Sequence, residues 1–129
     1  MIDHLSTYTT DFEAARGFYD AALAALGYER NVEMVMEWDT EFPNRRACAY
    51  GAGPKPTFWL VEVREAFTPR HVAFAARDRA AVDAFHAAGL GAGGTDNGAP
   101  GERPIYHPGY YGSFVLDPDG NNVEAVNHG

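Results

Sequence analysis

The stretch His71-Val72-Ala73-Phe74-Ala75-Ala76-Arg77-Asp78-Arg79-Ala80-Ala81-Val82-Asp83-Ala84-Phe85-His86 falls on His4-Leu5-Ser6-Thr7-Tyr8-Thr9-Thr10-Asp11-Phe12-Glu13-Ala14-Ala15-Arg16-Gly17-Phe18-Tyr19 when the chain is aligned with itself. His4 meets His71, Leu5 meets Val72, Asp11 meets Asp78, Ala14 meets Ala81 and Phe18 meets Phe85; farther on, Gly27 meets Gly94. Each copy reads as a short apolar strand, an Asp N-cap, an amphipathic helix and a Gly C-cap. Ala15, Phe18, Ala22 and Leu26 form the buried stripe of the first helix, and Val82 and Phe85 occupy the matching places in the second.

Extended segments follow each helix. Val32 to Trp38, Ala47 to Tyr50 and Phe58 to Val63 are the candidates in the first half, and Tyr111 to Leu116 and Asn122 to Val126 in the second. Asp117-Pro118-Asp119-Gly120 joins the last two as a type I turn, with Pro presetting φ and Gly easing the exit. Gly89 to Pro104, rich in Gly and Pro, reads as a long surface loop. One strand, one helix and about three strands per half predict an α+β fold of two βαβββ modules. The first module covers about residues 1–68 and the second about 69–129, with the seam at Pro69-Arg70, all within a single domain.

Composition narrows the partners. The chain of 129 residues is 46% hydrophobic and 13% aromatic, enough for a core of ordinary size. Its net charge of −8 disfavours nucleic acid and anionic membrane surfaces. No window has the length of a membrane span, and the opening residues lack the pattern of a signal peptide, so a cytoplasmic protein is expected. Cys48 is the only cysteine, which leaves no intrachain disulfide and no Cys-based zinc site.

Paired βαβββ modules, a His on the first strand of each, and Asp117-Pro118-Asp119-Gly120-Asn121-Asn122-Val123-Glu124 closing the second together resemble the vicinal oxygen chelate superfamily, which includes glyoxalases, bleomycin resistance proteins and extradiol dioxygenases. The resemblance implies a U-shaped trough with helices on its outer face, and His4, His71 and Glu124 as metal ligands. Strand alternation supports the transfer. Val72 and Phe74 should face the helix, which turns His71 to the other side, and Leu5 does the same for His4. Two imidazoles and a carboxylate suit Fe(II) or Mn(II), with Zn(II) or Ni(II) as possible substitutes. The implied substrate is a small molecule that chelates through adjacent oxygens, in an isomerase, lyase or dioxygenase reaction.

The pattern departs from two better-known members. Trp59 stands where glyoxalase I carries a ligand, and Glu62, three residues on, is expected on the opposite sheet face. Phe114 stands where extradiol dioxygenases carry a Tyr. The segment from Arg103 to Tyr111 places a cation, an imidazole and aromatics beside the candidate metal strand. His107, Tyr110 and Tyr111 are therefore candidate proton donors, and Trp59, Arg103 and Phe114 candidate substrate contacts. His86 and His128 are read as helix-packing and solvated residues. The alternative is a metal-free, antibiotic-sequestering protein that binds cationic drugs through its negative charge and aromatics. A homodimer is expected on general grounds, with the trough built either within one chain or across two.

Overall fold

A computed structural model describes residues 2–129. The first module runs β1 (Leu5–Thr9), α1 (Phe12–Ala24), β2 (Glu29–Met36), β3 (Arg45–Gly51) and β4 (Phe58–Glu62). The second repeats the order as β5 (His71–Ala75), α2 (Arg79–Gly91), β6 (Thr95–Glu102), β7 (Tyr111–Leu116) and β8 (Asn122–Asn127). The sheets are four-stranded, in the orders β1-β4-β3-β2 and β5-β8-β7-β6, and only the first strand of each pairs in parallel. Both β1 and β5 are thus edge strands.

Local chemistry starts both helices as expected. Asp11 accepts from Ala14 N at 3.2 Å and Asp78 from Ala81 N at 2.8 Å, each satisfying a first-turn N–H. Phe12, Ala15, Phe18, Tyr19, Ala22 and Leu23 bury the inner face of α1, and Ala81, Val82, Phe85 and Gly89 that of α2. Side chains of both modules share one buried cluster. Phe58 and Phe74 meet edge to face across the modules, with centroids 5.0 Å apart, and Tyr28 packs 6.0 Å from Phe74. Each buried Phe contributes roughly 1.5–3 kcal/mol through the area it removes from water. Cys48 is fully buried, and burial pushes its thiol pKa up, which fits an inert packing role.

Two expectations change. The segment after α2 is not a loop throughout, because Thr95–Glu102 forms β6. Its pairing with β7 is broken at two places around Gly98, and as an edge strand it tolerates Pro100. Gly94 also does not supply the positive φ after α2; Gly93 does, at +99°. Gly94 is needed for a close approach instead. A Cβ there would lie 2.5 Å from Val115 Cγ1, 2.6 Å from Phe18 Cε1 and 2.8 Å from the Gly89 carbonyl oxygen. Gly94→Ala should therefore cost roughly 2–3 kcal/mol by overpacking, read as a lower urea midpoint, whereas Gly91→Ala, which meets nothing within 4 Å, should be neutral or slightly stabilising.

Candidate functional site

In the second module, β5, β7 and β8 place their residues by register. Ala73 and Phe114 both lie opposite Glu124, so these residues share the sheet face away from α2, together with His71. Val72, Phe74, Val115, Val123 and Ala125 turn to the core. The alternation expected for His71 is the one observed.

Glu124 is 3% exposed yet is held by two polar side chains. His71 Nε2 lies 3.1 Å from Glu124 Oε2, and the Tyr110 hydroxyl donates to Glu124 Oε1. His71 Nδ1 is 3.0 Å from the Asn122 carbonyl oxygen. A carbonyl only accepts, so Nδ1 carries a proton. When His71 is neutral, its Nε2 lone pair is directed at the carboxylate; when it is protonated, the two form an ion pair. A ring N–H fixed on a backbone carbonyl is the usual support of a metal-binding histidine, and a separation near 3 Å suits two cis ligands at about 2.0–2.2 Å from one ion. The donor set of one imidazole and one carboxylate therefore fits a divalent metal.

Burial, followed by the bond to Glu124, pushes the Tyr110 pKa up to about 12, so the phenol keeps its proton at neutral pH. Phe114 stacks beside His71, with centroids 6.3 Å apart and planes inclined by 26°, and the Arg103 guanidinium lies 5.6 Å from the Phe114 centroid. His107 Nε2 contacts His128 Nδ1 at 2.8 Å, and both rings pack edge-on against Tyr110. His128 is solvent-exposed, as expected, and its ring also braces the segment that carries Tyr110.

Other candidates are placed elsewhere. Tyr111 lies on the opposite sheet face, where its hydroxyl donates to Asp83 at 2.7 Å under the Arg79 guanidinium, so it is not a proton donor at this site. It lies three positions before Phe114, and an odd step reverses the face. His4 precedes β1, is half-exposed and bonds Asp3; within one chain it does not join His71 and Glu124. Among the described residues no three His, Cys, Asp or Glu side chains gather closely enough to hold a metal. Trp59 pairs with Ser6 and Ala49 on the face of the first sheet away from α1. Glu62 points to the helix side and is held by Arg46 at 2.7 Å. His86 bonds Asp96 at 2.9 Å, a packing role.

No family model matches the chain, and no curated protein matches it in sequence. Solved structures do. A glyoxalase/bleomycin resistance protein from Albidiferax ferrireducens is 29% identical, with 96% of each chain covered and a TM-score of 0.77. A glyoxalase family protein from Enterococcus faecalis is 20% identical over 98% of this chain and 97% of its own, with a TM-score of 0.64. A glyoxalase I variant from Zea mays is 19% identical with a TM-score of 0.71; 97% of this chain matches 46% of that longer one.

Proposed function

We propose that this chain, which has the paired-module fold of the vicinal oxygen chelate superfamily, is a divalent-metal-dependent enzyme acting on a small substrate with adjacent oxygens. The observation that carries the reading is the His71 imidazole, fixed by the Asn122 carbonyl with its other nitrogen facing a buried carboxylate. His71 and Glu124 are the ligands from one chain, with Fe(II) or Mn(II) favoured and Zn(II) or Ni(II) able to substitute. His4 of a second copy is the third. The reasons are that β1 and β5 are both open edge strands and that His4 and His71 occupy equivalent positions of the repeat. Side-by-side pairing of β1 with β5 of another copy would close the trough in a homodimer.

A divalent metal held by His71 and Glu124 would supply Lewis acidity toward the substrate's adjacent oxygens. The chain's own groups do the rest. Tyr110 holds Glu124 in place and keeps a proton on its hydroxyl at the edge of the site. His107, bonded to His128, keeps a second imidazole beside Tyr110 within the same segment, as a candidate proton donor. Phe114 gives a flat substrate an apolar wall. The reaction class stays among isomerase, lyase and dioxygenase.

The test is a screen of catechols and 2-hydroxy or 2-oxo carbonyl compounds with Mn(II)- or Fe(II)-loaded protein. Metal-dependent turnover that falls at least a hundredfold in Glu124→Gln is expected; turnover indifferent to chelator would contradict the reading. A metal-free binder of cationic drugs is the second reading. It is favoured by exposed apolar side chains on two loops, Trp38 at 70% and Ile105 at 85%, together with the net charge of −8.

A further inference from the structure

The cations of this acidic chain are mostly neutralised by carboxylates. Arg64, Arg70 and Arg103 are the exceptions among the described residues. Arg64 lies on Phe42 and Arg70 on Tyr8, both in the first module or at the seam. Arg103 stands beside the His71 and Glu124 site.

Its neighbourhood is built to hold the guanidinium without neutralising it. Nη2 donates to the Ala99 carbonyl at 2.7 Å, and Nη1 reaches the Glu102 carbonyl at 3.4 Å. Its backbone N–H bonds the Tyr110 carbonyl at 2.8 Å. Gly98 and Gly101 make room: a Cβ at Gly98 would lie 2.9 Å from Phe114 Cδ2 and 3.4 Å from Arg103 Nη2, and one at Gly101 would lie 3.0 Å from Nη1. The nearby acids are engaged elsewhere. Glu102 pairs with Arg79 at 2.9 Å and Asp96 with His86 at 2.9 Å; Asp83 takes the Tyr111 hydroxyl, and Glu124 takes Tyr110 and His71. Two of five guanidinium N–H groups are used within the chain, so the others remain for a ligand.

We infer that Arg103 binds a carboxylate of the substrate, which therefore carries an acidic group one aromatic ring away from its chelating oxygens. The inference rests on the metal-site reading for where those oxygens go. Phe114 lies against both Arg103 and His71, so a flat acid can cover its ring with oxygens toward His71 and Glu124 and its carboxylate at the guanidinium. Charge-assisted pairing of this kind is stronger and more directional than neutral hydrogen bonding. It also runs against a cationic ligand, which Arg103 would repel.

The experiment is calorimetric titration of Mn(II)-loaded protein with catechol and with 3,4-dihydroxybenzoate. The acid should bind about tenfold or more tightly, a preference that weakens with added salt. It should vanish in Arg103→Gln and partly survive in Arg103→Lys, with unchanged melting temperatures showing that both variants fold. Equal affinity for the two probes, a preference untouched by Arg103→Gln, or no binding of either at millimolar concentration would overturn the inference. Binding unaffected by chelator would count against the metal site alone, because the acid preference and its loss in Arg103→Gln would still be read separately.

Discussion

Asp117→Ala should lower the free energy of unfolding by about 3–5 kcal/mol, while Asp119→Ala, two residues away in the same turn, should cost about 1 kcal/mol or less. Asp117 is 4% exposed and serves four donors. The buried Tyr19 hydroxyl of α1 reaches Oδ2 at 2.7 Å and Asn121 Nδ2 reaches it at 2.8 Å. The backbone N–H groups of Asp119 and Asn121 each reach Oδ1 at 2.9 Å. Asn121 Oδ1 in turn accepts from Arg70 N at 2.8 Å, at the seam between modules. Truncating Asp117 strands the Tyr19 hydroxyl, 1% exposed, where water does not reach. The Asp119 side chain, at a half-buried position, bonds only Thr10, through Oδ1. Urea denaturation of the two variants separates the cases; similar small losses in both would show that the turn does not lock the modules together.

Mixing His4→Ala chains with Glu124→Gln chains should restore metal binding that neither variant shows alone. If each site draws His4 from one copy and His71 with Glu124 from the other, a mixed dimer contains one intact site and one doubly broken site. Random exchange of subunits then recovers roughly a quarter of the sites. Both substitutions are conservative toward the fold: His4 is half-exposed outside β1, and Gln keeps an acceptor for Tyr110. Mn(II) bound per chain after unfolding and refolding the variants together is the readout. No recovery above the two separate variants would place the third ligand elsewhere.

The repeat made most of the fold legible. Equivalent Asp caps and equivalent apolar stripes predict both helices, and alternation from Val72 and Phe74 assigns His71 to the open sheet face. The same alternation separates Glu62 from Trp59 and Tyr111 from Phe114. β6 was hidden because its residues, Thr95-Asp96-Asn97-Gly98-Ala99-Pro100-Gly101-Glu102, lack strand propensity. It forms because β7 offers a partner and its position at the edge leaves one row of backbone groups unpaired. The His107 to His128 contact joins residues 21 apart in sequence, and no local pattern signals it. The Asp-Pro-Asp-Gly turn was readable as a turn, but its hold on Tyr19, 98 residues away, depends on how the two modules pack.

The most direct measurement is calorimetric titration of Mn(II) into chelator-treated wild-type protein and His71→Ala. One ion bound per chain in the wild type, with affinity reduced at least a hundredfold in His71→Ala, is the result that follows from a ligand fixed by the Asn122 carbonyl opposite Glu124. Absence of binding in the wild type, or equal binding in both proteins, would contradict a metal centre at His71 and Glu124.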